Sequence, residues 1–199
     1  MGLEPNHSAP VIGIVSRLTA QKGFETLYES MPILLSENDV RLVVLGSGQP
    51  EYTRFFQTLQ TQFSDKMAFH DGFNNKLAHL IEAGSDIFLM PSRYEPCGLN
   101  QMYSQNYGTI PVVRNTGGLT DTVSQYDETT GQGTGILFDD FTNQGVLWAV
   151  RRALELYQDP EQWYQLVSNA MFQDFSWNKS AQQYAQIFER LCNLSVLKQ

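Results

Sequence analysis

The sequence contains little cysteine and little positive charge, and each scarcity excludes a class of protein. Only two cysteines, Cys97 and Cys192, occur among 199 residues, too few to hold a domain of this size together by disulfides. They suit a reducing compartment, and the first residues lack the basic and apolar parts of a signal peptide. We therefore expect a cytoplasmic protein without a disulfide framework.

Lysine and arginine number 13 against 21 aspartates and glutamates, which gives a formal net charge of −8. General nucleic-acid binding needs an electropositive surface, so no nucleic-acid partner is expected. No apolar run approaches the ~20 residues that a membrane-spanning helix requires, so no membrane partner is expected either. Any anionic ligand must be held by a few well-placed cations rather than by overall attraction.

Several ligand-binding motifs are also missing. The three histidines have no metal-ligand spacing, and neither His-Glu-x-x-His nor paired Cys-x-x-Cys occurs, so no metal site is predicted. Gly46 and Gly48 begin a dinucleotide-type fingerprint, but Glu51 occupies the place of its third glycine. Pattern alone favours two glycines that permit a tight turn. Because a P-loop motif is absent as well, a NAD enzyme and a P-loop nucleotidase are both disfavoured.

Apolar runs alternate with helical periodicity along most of the chain. Val11–Val15 is a continuous apolar run, typical of a parallel strand that is buried on both faces. The alternation predicts an α/β fold, a Rossmann-like doubly wound parallel sheet of about six strands. We assign residues 11–199, including the closing helices, to this one domain and residues 1–10 to a leader or interdomain segment.

Two local expectations follow from the same pattern. A helix is predicted from about Lys22 to Leu35, with Pro32 kinking or shortening it. Trp148, Trp163 and Trp177 lie in the helical tail and are expected to pack in the core.

Ligands of such sheets bind at the carboxyl ends of the strands, near the point where the strand order reverses. Arg17 and Lys22 follow the first strand and precede a helix, where backbone N–H groups and the helix dipole attract anions. A guanidinium fork together with an ammonium group suits a phosphate or diphosphate. From the spacing alone, two solvated surface cations are an equally good interpretation.

Two further strand ends carry chemistry-bearing residues. Glu95 follows the fourth strand at a helix start; a carboxylate there suits glycosyl transfer, although an ordinary helix-start acid is the simpler interpretation. Cys97 fits a small buried residue better than a nucleophile, because no histidine lies nearby in the sequence. Phe73 follows the third strand, where an aromatic ring stacks on a base or a sugar unless it packs in the core.

Three motifs in order carry a family resemblance. They are Ser-Arg-Leu-Thr-x-Gln-Lys-Gly at 16–23, Pro-Ser-Arg-Tyr-Glu-Pro-Cys-Gly-Leu at 91–99 and Thr-Gly-Gly-Leu-x-Asp-Thr-Val at 116–123. Together they resemble the C-terminal half of bacterial glycogen synthases and plant-type starch synthases, from about Val11 to Leu191. The resemblance implies the nucleotide-sugar-binding half of a GT-B glycosyltransferase, in which two Rossmann-like domains face each other across a cleft.

Enzymes of that family transfer glucose from ADP-glucose, or from UDP-glucose in some members, to the non-reducing end of an α-1,4-glucan with retention of configuration. The resemblance implies a nucleotide-sugar donor as partner, a glucan acceptor held by an N-terminal domain outside this chain, and no metal or other cofactor. It also implies that this domain alone turns over little substrate. A non-catalytic module that binds a nucleotide-sugar or a glucan is the alternative.

The resemblance also suggests roles for individual residues. It implies that Arg17 and Lys22 bind the donor diphosphate and that Glu95 acts beside the donor glucose, which makes these three the candidate catalytic residues. Phe73 falls where the family stacks an aromatic ring on the adenine.

The remaining candidates lie in the segment that follows Glu95. The resemblance implies that the backbone of Cys97, Gly98 and Leu99 faces the sugar and phosphate, with Asn100 near the phosphate. Asn100 replaces a threonine of other members, and both side chains can hydrogen-bond a phosphate. Tyr103 replaces a second glutamate that contacts the ribose in many related retaining enzymes, so the ribose contacts do not carry over.

Overall fold

Six parallel strands form one sheet in the computed structural model, which describes residues 2–3 and 8–196. Part of the proposed leader at 1–10 lies outside the described residues. The strands are β1 Val11–Val15, β2 Arg41–Gly46, β3 Met67–Asp71, β4 Ile87–Met90, β5 Ile110–Arg114 and β6 Ile136–Phe138. Their order across the sheet is β3-β2-β1-β4-β5-β6, and every neighbouring pair is parallel. The predicted doubly wound α/β sheet is therefore confirmed.

Helices connect the strands and close the described chain. They are α1 Leu27–Glu37, α2 Pro50–Gln62, α3 Asn75–Gly84, α4 Asn100–Tyr107, α5 Gly118–Thr122, α6 Asn143–Tyr157, α7 Pro160–Met171 and α8 Trp177–Val196. Contacts pair α1 with α6 and α3 with α4, while α7 contacts both α4 and α6. Within the described residues, no helix has both the length and the apolar content needed to cross a membrane.

The central strand β1 shows how the two faces of the sheet are filled. Side chains alternate along a strand, and Ile12 and Ile14 therefore lie on the same face, where both are fully buried in the main core. Gly13 lies on the opposite face, close to Ile81 of α3. Burial on both faces explains why β1 reads as an uninterrupted apolar run.

The chain between β1 and α1 differs from its prediction. A helix was expected from about Lys22, but two 3-10 turns, Ala20–Lys22 and Phe24–Thr26, precede α1. Gly23 separates the turns in the left-handed conformation, with φ of 74°, which a continuing α-helix does not permit. The predicted start is therefore wrong, and α1 continues past Pro32 to Glu37.

The three tryptophans do not all pack in the core, as was expected of them. Trp163 packs partly buried against the core, whereas Trp148 and Trp177 are exposed, so the prediction is wrong for these two. Trp148 comes two residues after the buried Val146, which is about 200° around the helix. The side chain therefore points away from the face of α6 that covers the sheet.

Asp86, just before β4, gives the fold a pH-dependent element. One carboxylate oxygen, Oδ2, accepts a hydrogen bond of 2.8 Å from the backbone N–H of Val11. Burial nevertheless raises the pKa of Asp86 above its usual value, and the Val11 bond offsets this only in part. Because the folded pKa exceeds the unfolded one, the folded state binds more protons. The contribution of Asp86 to the stability of the fold is therefore fully present at pH values below the unfolded pKa and is lost as pH rises through the folded pKa.

We therefore expect Asp86→Asn to gain stability relative to the unchanged protein as pH rises from about 3 to about 7, around the ordinary aspartate pKa. Asparagine keeps an acceptor for Val11 but carries no charge to bury. Urea unfolding at several pH values measures the difference. Asp65→Asn, at an exposed site, controls for the loss of one negative charge. A stability difference that shrinks with rising pH would contradict this account.

Candidate nucleotide-sugar site

A cavity of about 440 Å³ opens at the carboxyl ends of β1, β2 and β4. This edge includes the point between β1 and β4 where the strand order reverses, the usual ligand position in open parallel sheets. The cavity brings together seven of the nine predicted site residues, namely Arg17, Lys22, Phe73, Glu95, Gly98, Leu99 and Asn100.

Lys22 and Glu95 form an ion pair at the floor of this cavity. Lys22 Nζ lies 2.5 Å from Glu95 Oε2, and the exposed fractions of the two side chains are only 17% and 8%. Ser92 Oγ donates a second hydrogen bond, of 3.3 Å, to the same carboxylate oxygen. A carboxylate so buried requires such partners, so Glu95 is more than an ordinary exposed helix-start acid.

Hydrogen bonds between two loops hold these two residues together across 73 positions of sequence. The N–H of Arg93 donates to the carbonyl of Gln21 at 2.9 Å, and Gln21 Nε2 donates to the carbonyl of Tyr94 at 3.1 Å. The loop after β1 is thus bonded directly to the loop after β4. The position of Lys22 relative to Glu95 follows from this pairing.

Arg17 is the second cation of the cavity, and it is exposed. In the described part of the chain no carboxylate pairs with it, so its charge is available to a ligand. Its loop is held by Leu18, whose N–H donates to the carbonyl of Ser47 at 2.8 Å and whose carbonyl accepts from the N–H of Gln49 at 2.7 Å. Side chains at Gly46 or Gly48 would collide with this loop, which agrees with a backbone role for these glycines.

The N-terminus of α4 forms the third electropositive element. Within the described chain, the N–H groups of Gly98, Leu99 and Asn100 donate to no protein acceptor, and no side chain caps the helix. Unpaired N–H groups at a helix start bind anions. Asn100 Nδ2 donates to the carbonyl of Val15 at 3.1 Å, which attaches this helix start to the end of β1.

Phe73 stands at the rim of the cavity with 89% of its surface exposed. The interpretation that it packs in the core is therefore wrong, and the ring is free to stack on a planar group. Its exposure follows from its position, two residues beyond the end of β3 at Asp71.

Cys97 and Tyr103 lie outside this cavity. Both line a neighbouring groove of about 910 Å³ between α4, α5 and the start of α8. The Tyr103 ring packs 5.8 Å from that of His79, and Cys97 is exposed, which contradicts its expected burial. Only the backbone of Cys97 remains next to the cavity, since Gly98 follows it.

Gly117 and Gly118 support the Glu95 loop from behind, a role that sequence reasoning missed. The N–H of Gly118 donates to the carbonyl of Glu95 at 2.8 Å. A Cβ atom on Gly117 would lie 2.1 Å from the same carbonyl oxygen. In the sequence the Gly-Gly pair indicates only a break before a helix, because the residue that it contacts, Glu95, lies more than twenty positions earlier.

Among the described residues, no cluster of three or more potential ligands is arranged for a metal ion. The cavity instead combines two cations and a helix start with a single buried carboxylate. This arrangement is suited to a ligand that carries a diphosphate beside a neutral, hydroxyl-rich group.

Comparison with known proteins agrees with this chemistry. Residues 2–168 match the family model described as glycosyl transferases group 1. Glycogen synthase from Bacillus cereus is 47% identical over 190 residues, 96% of this chain and 40% of that protein. Glycogen synthase from Koribacter versatilis is 48% identical over 186 residues, 94% of this chain and 38% of that protein.

The fold has solved counterparts. The catalytic domain of starch synthase IV from Arabidopsis thaliana, bound to ADP and acarbose, superposes with a TM-score of 0.84 at 37% identity, over 95% of this chain and 40% of that one. The C-terminal domain of a group 1 glycosyl transferase from Francisella tularensis has a TM-score of 0.65 at 18% identity, over 81% and 82%. The chain thus spans about 40% of its glycogen synthase relatives. Its match over residues 2–168 shows that it belongs to the group 1 glycosyl transferase family.

Proposed function

We propose that this chain is the donor-binding half of a retaining glucosyltransferase that uses ADP-glucose and extends an α-1,4-glucan. The observation that carries the proposal is the convergence of Arg17, Lys22 and the α4 N-terminus on one cavity that contains a buried carboxylate. The relatives named glycogen synthase and the starch synthase structure with ADP support the choice of substrates. The glucan acceptor then contacts a part of the enzyme beyond this chain.

Arg17 and Lys22 bind the diphosphate of the donor. Arg17 has no carboxylate partner in the described chain, so its guanidinium fork is available to two phosphate oxygens. Lys22 is already held by Glu95 and therefore loses little conformational entropy when the phosphate arrives. As the sugar–phosphate bond breaks, negative charge grows on the diphosphate, and both cations stabilise it more in the transition state than in the ground state.

Glu95 acts on the sugar side of that bond. Its carboxylate is almost fully buried, and in a low-dielectric site its charge acts strongly on a neighbouring positive charge. The glucosyl ring becomes positively charged as the leaving group departs, and Glu95 stabilises that charge. The ammonium group of Lys22, 2.5 Å from the same carboxylate, offsets part of its negative charge.

Transfer proceeds on one face of the sugar. The bond from the glucose anomeric carbon to the diphosphate oxygen breaks, and both electrons leave with ADP. The acceptor hydroxyl oxygen forms the new bond to the same carbon on the same face, and its proton passes to the departing phosphate oxygen. Because protein cations neutralise the diphosphate, this scheme uses neither a metal ion nor another cofactor. Phe73 stacks on the adenine.

We expect the chain to bind ADP and ADP-glucose in isothermal titration calorimetry. Stacking of the base on Phe73 and contacts to the diphosphate supply this affinity, and a stacked base alone contributes about 1–3 kcal/mol. NAD serves as a control for a redox Rossmann domain and, because it adds only a nicotinamide riboside to the ADP moiety, should bind no more tightly than ADP. The proposed function fails if neither ADP nor UDP binds, and a preference for UDP would reassign the donor to UDP-glucose.

A second prediction concerns the ion pair. Lys22→Met should weaken ADP binding by about 10- to 100-fold, the range for loss of one hydrogen bond between charged groups. Lys66→Met removes one positive charge elsewhere, where Lys66 Nζ donates to the carbonyls of Leu35 and Asn38. That control should leave the affinity for ADP unchanged.

The double variant Lys22→Met/Glu95→Gln separates ligand binding from folding. Lys22→Met alone leaves the buried Glu95 carboxylate without its cation, which destabilises the protein. The added Glu95→Gln substitution removes that charge and should restore the melting temperature without restoring ADP affinity. Unchanged ADP affinity in Lys22→Met would refute the diphosphate role of this lysine.

A further inference from the structure

Gln101, in the first turn of α4, is a fully buried polar side chain next to the cavity. Its Nε2 donates to the carbonyl of Cys97 at 3.1 Å, to the carbonyl of Gly98 at 3.1 Å and to Thr122 Oγ1 at 3.0 Å. Two of these three neighbours are carbonyl oxygens, which can only accept. The amide nitrogen must therefore face the backbone of residues 97 and 98.

These hydrogen bonds fix the direction of the neighbouring N–H groups. In a trans peptide the C=O and the following N–H point in opposite directions within one plane. The carbonyls of Cys97 and Gly98 point at Gln101, so the N–H groups of Gly98 and Leu99 point away from it. Both residues contribute to the cavity, and in the described chain both N–H groups donate to no protein acceptor.

Gly98 leaves room for the same side chain. Gly98 has φ of +72°, and a Cβ atom there would lie 2.4 Å from Gln101 Oε1. A side chain at residue 98 is thus excluded by both the backbone conformation and the Gln101 amide. Glycine adopts this left-handed conformation without strain, and the consecutive N–H groups of Gly98 and Leu99 are left without partners within the described chain.

Thr122 connects this arrangement to Glu95. Its hydroxyl accepts from Gln101 and donates to the carbonyl of Gly118 at 2.8 Å, while the N–H of Gly118 donates to the carbonyl of Glu95. A continuous set of hydrogen bonds therefore runs from α4 through α5 to the loop that carries the buried carboxylate.

We propose that Gln101 is a positioning residue for the donor: its amide holds two peptide planes so that the N–H groups of Gly98 and Leu99 are aimed at the diphosphate. This inference rests on the proposed function. Gln101 does not contact the ligand, and it acts through the backbone that precedes α4.

The chain offers a matched control one turn further along α4. Gln105 is also fully buried, and its Nε2 donates to the carbonyls of Gln101 and Thr122. It joins α4 to α5 as Gln101 does, but among the described residues its amide donates to neither the carbonyl of residue 97 nor that of residue 98. A purely structural role would make the two glutamines equivalent.

The test compares Gln101→Met with Gln105→Met, because methionine keeps the volume and removes the amide. Both variants should melt at similarly lowered temperatures. Only Gln101→Met should weaken ADP binding, by about tenfold, the factor for one hydrogen bond to a charged group. In amide NMR spectra without ligand, the Gly98 and Leu99 signals should shift in Gln101→Met and stay in place in Gln105→Met.

The outcomes separate the two proposals. If the unchanged chain binds ADP and the two variants bind it equally well, the positioning role is overturned and the proposed function stands. If the unchanged chain binds neither ADP nor UDP, the proposed function is overturned and the donor role of Gln101 falls with it.

A second variant covers the case in which Gln101→Met does not fold. Thr122→Val removes the hydroxyl that orients the amide and leaves both carbonyl contacts in place. It should weaken ADP binding by about threefold, less than the loss of one full hydrogen bond, and should shift the Gly98 amide signal. Unchanged affinity together with an unshifted Gly98 signal would overturn the positioning role.

Discussion

The buried contact between Lys22 and Glu95 is the constraint on which the site depends. A carboxylate that is almost removed from water requires a cation and hydrogen-bond donors, and here it has Lys22 at 2.5 Å and Ser92 at 3.3 Å. The Glu95 carboxylate has these partners only if the loop after β1 meets the loop after β4. In a parallel sheet those loops emerge at the same edge. The order of the strands therefore allows the two loops to meet, and the ion pair fixes which of their residues come together.

This contact also explains how an acidic protein can hold an anionic ligand. The formal net charge is −8, yet the carboxyl edge of β1 presents Arg17, Lys22 and the unpaired N–H groups of α4. Only one carboxylate, Glu95, is among the residues that line the cavity. The local potential is therefore set by a few groups within one cavity, where partial burial reduces screening by solvent and salt.

Structural features that depend on neighbouring residues could be predicted from the sequence, whereas features that depend on contacts between distant residues could not. Apolar runs located the strands, and the rule for parallel sheets directed attention to Arg17, Lys22 and Glu95. The start of α1 was wrong because Gly23 takes a left-handed conformation between two 3-10 turns. The role of Gly117 depends on the carbonyl of Glu95, and that of Gln101 on Thr122. Neither contact can be predicted from residues that are neighbours in the sequence.

The polar groups buried behind the site have a single physical origin. Each peptide that turns its N–H toward an open cavity turns its carbonyl into the protein, and a buried carbonyl requires a donor. The carbonyls of Cys97 and Gly98 find theirs in the amide of Gln101. An apolar residue at position 101 would leave these two buried carbonyls without a donor. A backbone site for anions therefore requires a polar interior directly behind it.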